Sequence, residues 1–243
     1  IGNIMNNCRR IASALALACI SFSLCAQNVS VRGGSSTFVY EPRYFAQLWG
    51  EGVTPVMPVG TVKIGWEDYR ESPYAVSCLR PEYGVAFSYD PIGFIPAVNG
   101  PGCGSIYGAY AYFDRPLVRT RRFSLEYSGG LGLGFVFRNL YVPVTNPWQV
   151  VISIPVNARI CLGGQMKYMI TDKYFVGLGV YLNHCSNGLV HLDNYGYNGI
   201  EVGLILGMKD VDGRESVPYD RKFGRHPYDD GFRRGFVFDA YAS

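Results

Sequence analysis

His184 and Ser186 stand two residues apart, a spacing that puts an imidazole and a hydroxyl on the same side of an extended chain. That pairing is what turns a weak alcohol into a nucleophile. The ring takes the proton as the oxygen attacks, and a third group holds the ring in the tautomer the step needs. Chemistry of this kind opens esters and other acyl bonds. A lone His in a strand is more often an interfacial residue or a loop anchor, but the Ser two residues on tips the balance for His184. His191 and His226 have no such neighbour and read as loop residues.

The strand that must carry the pair runs from Tyr174. Its even positions, Tyr174, Val176, Leu178, Val180 and Leu182, are apolar, and the same parity continues into His184 and Ser186. The odd positions include Gly177, Gly179, Tyr181 and Asn183. In the next segment Asn198 precedes Ile200, Val202 and Leu204 with the same parity, which places Asn198 on that apolar face as a third polar group. A symmetric loop between the two strands predicts Ser186 opposite Asn198 and His184 opposite Ile200. Polar groups on a greasy face are costly, so three together call for a function. Glu201 is the charged alternative for the third position, but its odd parity turns it to the other face, where Lys209 is its expected partner.

Three further segments alternate in the same way. Residues 123 to 137 set Phe123, Leu125, Tyr127, Leu131, Leu133, Phe135 and Phe137 against Ser124, Glu126, Ser128 and glycines. Residues 150 to 162 set Val150, Ile152, Ile154, Val156, Ala158, Ile160 and Leu162 against Ser153, Asn157 and Arg159, and residues 198 to 209 complete the set. Weaker alternation marks 60 to 69, 82 to 90 and 105 to 113. A soluble sandwich also alternates, yet its strands are short. Ten or more alternating residues per strand, with glycine and charge on the second face, predict an all-β, antiparallel transmembrane barrel of the outer-membrane kind, with about eight strands and room for more. The excess of 30 Gly, 19 Tyr and 14 Phe beside only 17% charged residues suits such a barrel, the aromatics, Trp66 and Trp148 among them, serving as an interfacial girdle. No stretch after the N-terminal region is long and apolar enough for a membrane helix.

Residues 1 to 26 read as a signal peptide: Met5 as the start, with residues 1 to 4 upstream of it, then Arg9 and Arg10, an apolar run from Ile11 to Leu24, and a small-residue end at Cys25 and Ala26. Residues 27 to 209 form the expected barrel. Residues 210 to 243 read as a polar loop, with Phe236, Phe238 and Tyr241 as the start of a further strand and the frame read as incomplete. A net charge of +3 not gathered in any run gives no case for nucleic acid. Of seven cysteines, Cys78, Cys103, Cys161 and Cys185 lie outside the signal, with no ligand spacing for a metal; a Cys78–Cys103 disulfide is permitted by an oxidising compartment and is not fixed by the sequence.

The stretch His184-Cys185-Ser186-Asn187-Gly188, followed by Asn194-Tyr195-Gly196-Tyr197-Asn198, resembles the H-x-S-N-G and N-x-G-x-(E/N) signature of PagL-type lipid A 3-O-deacylases, also called acyloxyacyl hydrolases. Asn146-Pro147-Trp148-Gln149-Val150-Val151-Ile152 resembles a second block of the branch found in Bacteroides-like bacteria, and the resemblance runs over roughly 81 to 208. It implies an outer-membrane enzyme, free of cofactor and metal, whose Ser186 attacks the ester of a 3-hydroxyacyl chain on lipid A in lipopolysaccharide. His184 is then the base and Asn198 its orienting partner. Asn194 donates to the oxyanion, with Asn187 beside it orienting substrate. The departure is Asn198, where the best-known members carry Glu; Asn can orient an imidazole but cannot offset its positive charge. Asn187, Asn194, Gly188 and Gly196 also suit plain turns. Pairing into a homodimer is left open, and a non-catalytic barrel on the same scaffold, a small pore or a structural protein, is the rival expectation.

Overall fold

The alternating stripes fold as strands that close on one another. The computed structural model describes residues 28–39, 56–67, 78–92, 104–136, 151–188, 190 and 196–209. Within them lie β1 (Asn28–Phe38), β2 (Val56–Glu67), β3 (Glu82–Asp90), β4 (Ile106–Arg119), β5 (Phe123–Val136), β6 (Val156–Met169), β7 (Tyr174–Ser186) and β8 (Tyr197–Lys209). Each pairs antiparallel with the next, and β1 pairs with β8 from Asn28↔Lys209 to Phe38↔Gly199, so the eight strands make a closed barrel without a free edge. Among the described residues no helix is long and apolar enough to cross a membrane.

Outside, the wall is apolar. Leu131, Leu162, Leu182, Val202, Leu204 and Leu206 all stand exposed on it. Aromatic side chains stand on it at two levels, Tyr83, Phe123, Tyr127, Tyr168 and Tyr174 toward the end with the short turns and the adjacent pair Tyr89 and Tyr107 toward the other.

Inside, the wall is charged. Buried ion pairs join Arg32 to Glu201, Lys63 to Asp114, Arg119 and Lys209 to Glu67, Arg159 to Asp90, and Lys167 to Glu126, Glu82 and Asp114. The cations and carboxylates named in those pairs are equal in number, so these inner charges cancel. Large rings fill the rest, made possible by missing side chains opposite them. A Cβ at Gly163 would lie 2.3 Å from the Tyr181 ring, whose hydroxyl donates to Gln165. The seam is tied by charge as well as by the ladder: Arg32 Nε on β1 meets Glu201 Oε1 on β8 at 2.6 Å.

Two expectations about elements are corrected. The stripe over 150–162 is not one strand, because β6 begins only at Val156. Pro155 has no N–H to give a ladder, its carbonyl accepts from Val136 N at 2.9 Å, and the Ile154 carbonyl accepts from the Asn157 amide at 2.8 Å. Ile152, assigned by parity to the outer face, is buried with Val151 in an apolar cluster at the barrel mouth. The second correction is an addition. Strand β1 carries Gly33, Ser35 and Thr37 at the outward positions of its second half, so it shows no apolar stripe and was not expected as a strand. The segment 123–137 is borne out over its described length as β5, and the weaker stripes are β2, β3 and β4. Residues 1–27 and 210–243, with the signal peptide and polar tail assigned to them, lie outside the described residues, as do Trp148, His191 and His226. Cys78 is a buried free thiol, and Cys103 lies outside the described residues.

Candidate active site

Strand parity delivers the polar groups to the outer wall at the end of the β7–β8 hairpin. Tyr181, Asn183 and Cys185 point inward and are buried, whereas Leu182, His184 and Ser186 share the outward side. On β8, Glu201 and Tyr197 are buried inside while Asn198 is exposed outside. His184 and Asn198 sit directly opposite in the ladder, and His184 Nδ1 lies 2.7 Å from Asn198 Oδ1.

This register differs by two residues from the symmetric-loop expectation. Leu182, not His184, faces Ile200, and Ser186 stands opposite Ala158 of β6 and not opposite Asn198. The register runs unbroken from the far end, where Tyr174 pairs with Met208 and Lys209 N donates to the Lys173 carbonyl at 2.8 Å. The ladder then stops at Cys185↔Tyr197 because Gly196 leaves it: with a left-handed φ of 74° its N–H turns to the Val151 carbonyl at 2.9 Å. The shift favours the chemistry, since it brings the amide to the imidazole and leaves the hydroxyl one pleat beyond. When Asn198 Oδ1 accepts the Nδ1 proton, the lone pair stands on Nε2, the nitrogen that a general base presents to its nucleophile.

The loop ends are shaped around Ser186. Gly188, at φ 65°, donates its N–H to Ser186 Oγ at 3.2 Å. A Cβ placed on Gly196 would lie 3.2 Å from Ser186 Cβ and 3.5 Å from His184 Cε1, so this glycine packs against both reactive side chains. Asn187 turns inward instead of outward: it is buried and its amide donates to Ser153 Oγ at 3.2 Å. Asn194 lies outside the described residues.

Glu201 is where parity put it, on the inner face, held by Arg32 and by the Asn183 amide at 2.9 Å. Its expected partner is corrected, for Lys209 pairs with Glu67. Sequence reasoning passed over residues 151–153 as part of a strand. Val151, apolar on the polar side of that stripe, and Pro155, which has no N–H for a ladder, were the available signal. Among the described residues no group of three His, Cys, Asp or Glu side chains is disposed to hold a metal ion.

No protein-family model matches the chain, and no curated protein matches it. Solved structures do. The outer membrane enzyme PagL is 15% identical, with 74% of this chain and 97% of that one covered and a TM-score of 0.43. Neisserial surface protein A (NspA) is 9% identical, with 75% and 96% covered and a TM-score of 0.46. Ail, the attachment invasion locus protein of Yersinia pestis, is 9% identical, with 76% and 98% covered and a TM-score of 0.32. At these values nothing about chemistry passes from one barrel to another.

Proposed function

We propose that the chain is an outer-membrane serine esterase that removes an ester-linked acyl chain from lipid A. The observation that carries this is the contact of His184 Nδ1 with Asn198 Oδ1 at 2.7 Å on the outward wall, with Ser186 next along the same side. Its place explains the substrate class. An ester of a membrane lipid reaches a protein from the lipid side, and this group lies on the apolar outer surface, near the level of Tyr89 and Tyr107, where acyl chains give way to headgroups. Ser186 Oγ attacks the acyl carbonyl as His184 Nε2 takes its proton. The sugar hydroxyl leaves with that proton, and water then frees the fatty acid from Ser186 by the same route in reverse. The sequence resemblance gives Asn194 the oxyanion; the Gly188 N–H is a backbone donor already beside the nucleophile.

The membrane assignment rests on the apolar outer wall, its two aromatic levels, and the export signal read in the sequence. It puts the turn at 170–173 in the periplasm and the loop after Ser186 outside. A cysteine replacing Val190, which is 85% exposed, then reacts with an impermeant maleimide on whole cells, and one replacing Asp172 does not.

One feature favours a non-catalytic barrel: Asn198 offers the imidazolium no counter-charge. The interior weighs against the pore form of that rival, since paired ions and rings occupy it. A fluorophosphonate probe decides between enzyme and inert barrel. Labelling at Ser186, lost in Ser186→Ala, is the expected result; a folded barrel that is never labelled and leaves the mass of lipid A unchanged overturns the esterase.

A further inference from the structure

We propose that residues 151–153 are a positioning clamp for the reactive loop, holding both of its ends so that Ser186 stays beside His184. The proposal rests on the esterase reading above.

The β7–β8 ladder ends at Cys185↔Tyr197; Ser186 is still paired on its other side with Ala158 of β6, but the two ends of the loop, Asn187 and Gly196, lie past the last pair of either ladder. Left alone, such an end frays. A third segment does the holding. Val151 and Ile152 are almost wholly buried, in one cluster with Cys185 and Tyr197, the last pair of the ladder. From that anchorage the Val151 carbonyl takes the N–H of Gly196, which packs against Ser186 and His184, while Ser153 Oγ takes the amide of Asn187, the residue next to Ser186. One buried segment thus grips the loop where it leaves β7 and where it enters β8. Neither Val151 nor Ser153 is placed on the reacting atoms; they are positioning residues. Their leverage is large because a nucleophile displaced by about 1 Å loses on the order of 10²-fold in rate.

The same contacts give Asn187 a different part from the one the resemblance implies. Its amide faces inward, onto Ser153, and it acts through the loop.

The test is a mutant cycle on the full barrel in detergent micelles: Ser153→Ala, Asn187→Ala and both together, with heat-modifiable gel migration as the folding control. Each single change is expected to lower kcat on lipid A about tenfold with KM held within about twofold, and the double to be no worse than either, because both remove one contact. Ser153→Thr, which keeps the hydroxyl, restores kcat. A second readout does not need turnover. With three histidines in the chain, the ¹⁵N ring signals can be assigned by loss in His184→Gln, and the His184 signal is expected to shift or broaden in Ser153→Ala. Should the unmutated barrel hydrolyse nothing, the esterase reading fails while the His184 signal still decides the clamp. Losses that multiply in the double mutant overturn it, placing Asn187 on the substrate independently of Ser153. An unchanged kcat and unchanged His184 signal in Ser153→Ala overturn it as well. If Ser153→Ala does not fold, Asn187→Ala, made on the loop side, carries the same two readouts.

Discussion

The two faces of the β7–β8 hairpin handle polarity in opposite ways. Inside, Glu201 is locked by Arg32 and Asn183, and its neighbours along the interior are paired in turn. Outside, on the same two strands, His184 meets the neutral amide of Asn198 on an apolar wall. The inner arrangement spends its polar groups on one another. The outer one sets an imidazole, an amide and a hydroxyl on the outward side. A buried ion pair stabilises little on balance but is costly to break, whereas polar groups set on an apolar outer wall point to a function. Polarity on the inside builds the barrel, then, and in the proposed function polarity on the outside works on a substrate.

The sharpest way to break this division is at Ser186. Ser186→Ala and His184→Ala are each expected to lower release of 3-hydroxy fatty acid from purified lipid A by about 10³-fold or more, with the double mutant scarcely worse, because members of one relay are not additive. Both should keep heat-modifiable migration. Near-full release from folded Ser186→Ala would end the esterase assignment.

The converse change is inside. Glu201→Ala leaves the Arg32 guanidinium without its carboxylate and is expected to cost about 3 kcal/mol of stability, measured as a lower urea midpoint in micelles, with kcat of the folded fraction within about twofold. Joint replacement, Arg32→Met with Glu201→Leu, should recover most of that loss. A fall in turnover as large as that of Ser186→Ala, with stability intact, would put Glu201 in the reaction and undo the contrast between faces.

Asn198 tests the division more finely. If it only orients the ring, Asn198→Ala should cost about tenfold in kcat, while Asn198→Glu, which adds a counter-charge for the imidazolium, should match or exceed the unmutated rate. Loss of activity in Asn198→Glu would mean that the site depends on a neutral partner.

Much of this was legible because strand parity is a strict rule. Period two sorted His184, Ser186 and Asn198 to one face and Glu201 to the other without any knowledge of the barrel, and the long stripes of β5 and β7 are strands where they stand in the sequence. What parity cannot give is register. The pairing of His184 with Asn198 depends on the register of the whole ladder from Tyr174↔Met208 to Cys185↔Tyr197 and on Gly196 leaving it, and no local pattern encodes either. Parity also misleads where a stripe runs past a strand end. Ile152 keeps the apolar rhythm of β6, yet it folds with Val151 into the mouth because Pro155 stands between them and the strand. Strand β1 was illegible for the opposite reason: Gly33, Ser35 and Thr37 face outward without grease, and the strand is specified by its partners on β2 and β8.

The seam between β1 and β8 divides the order in which these parts can form. His184 and Asn198 are separated by 14 positions along the chain, and Arg32 and Glu201 by 169. A hairpin closes a short loop and zips early; joining the first strand to the last must wait for every strand between them. During that wait the β7–β8 hairpin already exists, but Glu201 has no guanidinium and the lumen is not yet neutral. Ring closure is therefore the late and slow event of assembly. A chain halted there would present a formed His184–Asn198 contact on a sheet whose two open edges are its route to aggregation.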